Sequence, residues 1–406
     1  GVHLDAEYTA DSTVSDFKGY LNLEERLFQQ LQRQVLDRLP DAERGPVNRY
    51  HSGSLSDPGR WGRNWNRSFE LKAADPSAGV LLLHGMSDAP YSLRALGTRL
   101  NEKSAWVVGL RLPGHGTVPS GLVRLKWEDM AAATRLAVRH LRDQVGDAPI
   151  FLVGYSTGGA LAVQYTLAAL DNPALPRVEK IVLISPAMGV TRLAALSVWQ
   201  ARLGRWLRLP KLAWNSILPE YNPFKYSSFA INAGDQVYRL ANTLQVRLDS
   251  AMASGQLDES PPILTFQSVV DATVSTRAVF SGLHNRLVNP ADELILFDIN
   301  HQTGIDDLLS ARRMAQIQSL LSGDQDRNVF TLVTNENKMS RRVVVRRTKG
   351  RLPAESSDPL AWQWPVGVHS LSHIALPFPA DDPLYGVSDA VSSPGLALSK
   401  ITLHGE

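Results

Sequence analysis

The string Gly154-Tyr155-Ser156-Thr157-Gly158-Gly159 is the stretch of this chain best suited to covalent chemistry. A strand pattern, Ile150-Phe151-Leu152-Val153, runs straight into it, and a helical pattern, Ala160–Leu170, runs straight out. A serine between glycines at such a junction sits on a sharp strand-to-helix turn, where Ser takes a strained backbone and a Cβ on the flanking positions would clash. The turn presents the hydroxyl at the sheet edge, and the helix that follows points its positive end at a developing oxyanion. A serine hydroxyl is a poor nucleophile until a base takes its proton, and the base needs a carboxylate to fix its tautomer. The pattern predicts acyl-transfer chemistry at Ser156, against the plainer reading of a structural Gly-Ser-Gly turn.

Carboxylate and base candidates lie downstream. Asp271 follows the apolar run Ile263–Phe266 and a Gln-Ser-Val-Val link, and opens Asp271-Ala272-Thr273-Val274. Without catalysis it would serve as a helix-start Asp before Ser275–Phe280. His301 comes 30 residues after Asp271, past the run Leu294–Ile299 and before a helical pattern over Asp306–Leu321. His373 lies in Ser370-Leu371-Ser372-His373-Ile374-Ala375-Leu376, followed by the proline-stiffened Pro377–Pro383. His369 opens the same stretch and is a weaker third. Without catalysis each would be a surface-loop histidine.

The elements that must position these residues follow from periodicity. Short apolar runs at Gly79–Leu83, Ala105–Leu110, Ile150–Tyr155, Lys180–Ile184, Ile263–Phe266 and Leu294–Ile299 read as strands. Helical patterns at Ser92–Glu102, Trp127–Gln144 and Gly158–Leu170 alternate with the earlier ones. Strands apolar throughout, alternating with helices, mean a mostly parallel sheet covered on both faces, a doubly wound α/β fold. Residues 1–65 read as an N-terminal arm and helix: 1–21 lack periodicity, then Asn22 and Glu25 form a capping box for Leu23, Leu27, Leu31 and Val35, with Pro40 as the stop. Residues 66–186 are the first part of the α/β core and 261–406 the second, with a strand-containing C-terminal extension. Residues 187–260, mostly helical and carrying Trp199, Trp206 and Trp214, are expected to form a cap over the C-terminal sheet edge, where ligands bind in such folds. Those tryptophans would line an acyl pocket or simply pack the cap down.

In the extension, Asn328–Val333 and Arg342–Arg347 read as two strands around the turn-prone Asn335-Glu336-Asn337. The basic cluster Lys338, Arg341, Arg342, Arg346, Arg347, Lys349 and Arg351 is expected to guard a solvated sheet edge, with contact to phosphate groups or to an anionic membrane surface as the sharper alternative.

Composition narrows the chemistry further. The 406 residues carry 42 Lys+Arg against 40 Asp+Glu, a formal charge of +2, which supplies no field suited to nucleic acid. With no Cys, disulfides, thiolate metal sites and cysteine nucleophiles are excluded. No histidine set has metal-ligand spacing and no phosphate-cradling Gly-rich loop opens a helix after the first strand, so neither metal nor cofactor is expected. No run of eighteen apolar residues occurs. The chain starts at Gly1 instead of Met, and with no Cys an exported bacterial protein is expected (periplasmic, secreted or lipid-anchored), with the cytoplasm as the alternative.

At this point the chain resembles the α/β-hydrolase family, in particular serine hydrolases of the carboxylesterase and monoacylglycerol-lipase kind. Beyond the Ser156 turn, the resemblance rests on His84-Gly85-Met86 after the strand Val80–Leu83, on Arg111-Leu112-Pro113-Gly114-His115-Gly116, and on the Asp-x-x-Val string at Asp271. It implies that the backbone amides of Met86 and Thr157 form an oxyanion hole, that His84 and His115 shape loops, and that the catalytic order is Ser156, Asp271, then a histidine. By position in a minimal family member that histidine is His301; by local string, Ser-x-His-Ile with a Leu soon after, it is His373, which we favour. The resemblance implies cofactor-free cleavage of a small-molecule or lipid carboxylic ester through an acyl-enzyme. The same triad would serve an acyltransferase, a thioesterase or an aminopeptidase, and a binding protein that kept the turn without turnover is the non-enzymatic reading.

Overall fold

The computed structural model describes residues 2–189, 213–271, 273–303, 329–349, 356–365, 368–371, 378 and 382–385. In chain order the elements are α1 (Phe17–Leu31), β1 (Phe69–Leu71), β2 (Ala78–Leu83), α2 (Tyr91–Asn101), β3 (Ala105–Leu110), α3 (Gly121–Arg124), α4 (Trp127–Val145), β4 (Ile150–Tyr155) and α5 (Thr157–Asp171). There follow β5 (Lys180–Ile184), β6 (Trp214–Ser216), β7 (Phe229–Ala230), α6 (Ile231–Ala253), β8 (Ile263–Ser268), α7 (Thr276–Gly282), β9 (Glu293–Phe297), β10 (Val329–Asn335), β11 (Arg342–Lys349) and β12 (Ser356–Gln363). The helical pattern at Asp306–Leu321 and the tryptophans Trp199 and Trp206 lie outside the described residues.

The main sheet has ten strands in the order β1-β3-β2-β4-β5-β8-β9-β10-β11-β12. From β3 to β10 every pairing is parallel; β1, β11 and β12 are antiparallel to their neighbours. Side chains alternate across the strands. Leu81, Leu83, Val108 and Leu152 join α4, α5 and α6 in one core, while Val80, Leu82, Val107 and Val153 join α2 in another. Burial on both faces is why the strands read as unbroken apolar runs. Because β2, β4, β8 and β9 run the same way, the loops after them emerge on one edge, and that edge holds every candidate residue described.

Three local features differ from the sequence expectation. Helix α1 begins at Phe17, not after Asn22: Asp16 caps it, its carboxylate accepting from Gly19 N at 2.7 Å. The residues ahead of it are no loose arm, since Leu4 and Tyr8 are buried. The strands β1 and β12 were not foreseen: β1 is three residues long, and β12 contains Pro359, which an outermost strand tolerates because half of its amides need no partner. In the described part of 187–260, α6 buries Leu240, Leu244 and Leu248 in the same core as α4 and α5, and Trp214 packs against that core.

Candidate active site

Ser156 sits between β4 and α5 with φ 51° and ψ −114°, a positive φ that a non-glycine residue holds only where its surroundings enforce it. The enforcement comes from β5: Ser156 N donates to Ile184 O at 2.9 Å, and Ala187 N donates to Ser156 O at 3.0 Å. The flanking glycines are required by close backbone approach. A Cβ on Gly154 would lie 2.4 Å from Gly158 O, and one on Gly158 would lie 2.1 Å from Leu83 O and 2.7 Å from His84 O. The first turn of α5 therefore rests directly on the end of β2.

That contact brings the loop after β2 against Ser156. A Cβ on Gly85 would be 3.3 Å from Ser156 Cβ, so the next residue, Met86, lies beside the serine. Among the described residues neither the Met86 nor the Thr157 amide donates a hydrogen bond. Two free N–H groups flanking one serine, one of them at a helix N-terminus, form a place for negative charge. His84 braces the loop. Leu112 N donates to its Nε2 at 3.0 Å, so the proton is on Nδ1, which donates to Gly85 O at 2.8 Å. Burial and the neighbouring His115 hold the His84 imidazole well below its ordinary value, and burial brings His115 down to about 4. Both are neutral and structural at neutral pH.

Asp271 lies beyond the end of β8, two strands from β4 and so about 10 Å across the sheet, a gap one imidazole can bridge. Its Oδ1 accepts from Thr273 N and Val274 N, both at 2.8 Å, and its Oδ2 from Gln267 Nε2 at 3.0 Å. The helix-start role belongs elsewhere: Ser275 caps α7 by accepting from Ala278 N. The hydroxyl of Tyr155, next to the serine, is pushed well up, chiefly by burial and further by the carboxylates of Asp88 and Asp271.

Of the two candidate bases, His301 is described and His373 lies outside the described residues. His301 Nε2 is 2.9 Å from Asp298 Oδ2, an oxygen that also accepts from Thr334 Oγ1 at 2.7 Å. The chain on either side of His373 is anchored. Upstream, Ser268 at the end of β8 donates to Leu371 O, and Asn300 N donates to His369 O at 2.8 Å. Downstream, Asp382 accepts from Tyr91 Oη at 2.9 Å and from Arg94 Nη2 at 2.8 Å, at the start of α2. In sheet order these anchors, at β8 and at the helix after β2, stand on opposite sides of β4.

Two features were not singled out by the sequence patterns. Asp88, two residues past Met86, is buried; Ser92 Oγ donates to its Oδ1 at 2.5 Å, and burial pushes its carboxyl up to about 6. Its place in the same turn as Met86 was the available signal. Arg111, buried under the loop Leu112–Gly116, binds Glu7 and Glu24 from the N-terminal segment; no local signal announces pairs so distant in sequence.

Residues 74–247 match the family model described as serine aminopeptidase, S33. The thermostable monoacylglycerol lipase of Bacillus sp. strain H-257 is 30% identical over 214 residues, 52% of this chain and 78% of that protein. The chain belongs to the α/β-hydrolase family. Solved structures similar to this hydrolase include the Paleococcus ferrophilus monoacylglycerol lipase, with 17% identity, a TM-score of 0.42 and coverage of 62% of this chain and 97% of that one. Another is a soluble variant of the Saccharomyces cerevisiae monoglyceride lipase, with 11% identity, a TM-score of 0.45 and coverage of 62% and 90%. The fold is the α/β-hydrolase fold, as the resemblance implied, and the loops of this hydrolase that hold Ser156, Met86 and Asp271 are those on which the resemblance rested.

Proposed function

We propose that this hydrolase is a serine esterase of the carboxylesterase or lipase type, cleaving carboxylic esters through an acyl-enzyme. The observation that carries the reading is the strained Ser156 flanked by the unpaired amides of Met86 and Thr157. Ser156 Oγ attacks the acyl carbon while the base takes its proton. The Met86 and Thr157 amides hold the oxyanion, the base returns the proton to the departing alcohol, and water repeats the sequence to release the acid. Loss of one such donor raises the barrier by about 3–4 kcal/mol, so the two amides weigh as much as the side chains.

We assign the base to His373 and its orienting carboxylate to Asp271. Support comes from the anchors that bracket the segment carrying His373 across β4, and from the engagement of the His301 ring with Asp298 at the end of its own strand. The ester reading is supported by the named activity of the Bacillus relative. The description of the matched family keeps one second reading, an aminopeptidase using the same groups, which would cleave amino-acid anilides.

The test is fluorophosphonate labelling read by intact mass on wild type and Ser156→Ala, followed by a panel of esters of rising chain length and an amino-acid anilide. One adduct on wild type, none on the variant, and turnover confined to esters is the expected outcome. A folded wild type that takes no label overturns the proposal. His373→Ala should abolish turnover and His301→Ala should not; the reverse pattern moves the base to His301. Combining His373→Ala with Ser156→Ala should cost little more than either alone, because triad members act as a unit.

A further inference from the structure

The hairpin β10–β11 and the outermost strand β12 have no part in the chemistry proposed above, yet they are aimed at the same edge of the sheet. Parallel pairing continues from β4 through β5, β8 and β9 to β10. The C-terminal end of β10 therefore opens on the edge that bears Ser156, about 19 Å away across four strand spacings. The turn from Glu336 to Arg341 projects from it. Register brings the end of β12 to the same tip: Arg342 pairs with Gln363, and Trp364 N donates to Arg341 O at 2.9 Å.

The surface of this tip is unusual in two ways. Met339 is 88% exposed, the highest exposure among the large apolar side chains described, and Trp362 is 62% exposed. Around them stand Lys338, Arg341 and Arg342, with Glu336 as the neighbouring acid, its carboxylate accepting from Ser340 Oγ at 3.2 Å. Farther down the strand the cation Arg347 is paired with Glu293 at 3.3 Å. At the tip, the guanidinium groups of Arg341 and Arg342 have no carboxylate partner among the described residues. Charge alone would guard a sheet edge. Guarding does not account for a bare Met and a bare Trp at the apex, which in water are a cost.

We propose that this tip is a docking point for an anionic phospholipid bilayer. Trp favours the headgroup region, Met is flexible enough to enter between chains, and the flanking cations remain at the phosphate level with their stems along the apolar layer. Nucleic acid would reward the cations but leave Met339 and Trp362 idle. Docking here turns the sheet edge holding Ser156 toward the surface in which long-chain esters reside. The inference extends the esterase reading, but its assay measures binding only, so either can fail while the other stands.

The test uses the full chain and sedimentation with vesicles of phosphatidylcholine alone or with about a third phosphatidylglycerol, at low and high salt. Wild type should sediment with the anionic vesicles at low salt and remain in solution with the neutral ones. Arg341→Gln with Arg342→Gln should weaken partitioning roughly 25-fold, at about fivefold per cation. Since the chain has no cysteine, Met339→Cys can carry an environment-sensitive dye. Its emission should shift to the blue on anionic vesicles, while the same dye at Val246→Cys, an exposed site on α6, should not respond. No sedimentation of wild type, equal sedimentation with neutral vesicles, an unaffected double-Arg variant, or a dye at residue 339 that responds only to nucleic acid or to self-association would each overturn the proposal.

Discussion

Replacing Arg111 by Met tests whether the N-terminal segment is bound to the loop behind the candidate active site by charge. The guanidinium is almost wholly buried and fully engaged: Nη2 to Glu7 Oε1 at 2.8 Å, Nη1 to Glu7 Oε2 at 3.1 Å, Nε to Glu24 Oε2 at 3.0 Å and Nη1 to His115 O at 3.0 Å. Methionine keeps the stem and removes the charge. Glu7, with 22% of its side chain exposed, can turn to water, whereas Glu24, at 4%, cannot and keeps only Ser68 N and Ser68 Oγ. Breaking a buried pair from one side costs about 3–5 kcal/mol, because a charge is left uncompensated. For a cooperative unit of this length that corresponds to a melting temperature lower by roughly 5 °C. The assay is urea unfolding of wild type, Arg111→Met, Glu24→Gln and the double variant at pH 7 and pH 5. An isolated buried carboxylate is relieved by a proton, so the deficit of Arg111→Met should shrink at pH 5. The double variant, without the stranded charge, should recover at least half of it. A deficit under about 1 kcal/mol, one equal at both pH values, or a double variant no better than the single would refute the argument. The loop matters to the site because Leu112 holds His84, which holds the turn bearing Met86.

Gly158→Ala should prevent folding or cost more than about 3 kcal/mol, since its Cβ meets Leu83 O at 2.1 Å, while Gly45→Ala, with nothing within 4 Å, should melt as wild type does. Burial lifts the Asp88 carboxyl to about 6 from its ordinary 3.8, so the folded state retains a proton that the unfolded chain gives up. The stability this contributes is complete below about pH 4 and lost as pH rises through 6, up to about 3 kcal/mol. Asp88→Asn should therefore show a higher urea midpoint than wild type at pH 8 and the same midpoint at pH 4; equal midpoints at both would dismiss the shift. His284 carries the opposite sign: burial holds it at about 3, so stability falls as pH drops from about 6.5 toward 3. His284→Gln should flatten that part of the stability profile, and an unchanged acid slope would count against it.

The outline of the fold and the Ser156 turn were legible because both are written in consecutive residues. A strand buried on both faces needs an apolar side chain at each position, and the Ser156 turn needs Gly154 and Gly158 wherever it occurs. The same locality explains what was misread. Asn22 and Asp16 both look like helix caps, and Phe17 and Tyr20, at helical spacing, marked the earlier start. Pro359 hid β12, because whether a strand tolerates proline depends on whether it is outermost, which no local pattern records. The sequence by itself determined the parallel sheet and the strained turn at Ser156. Only the tertiary structure decided that Glu7 and Glu24 clasp Arg111 across 104 and 87 positions, that His301 turns to Asp298, and that Met339 and Trp362 share one exposed tip. Backbone geometry is selected by neighbours in the chain, whereas the partner of a charge or ring is selected by what the folded chain brings within a few ångströms and shields from water.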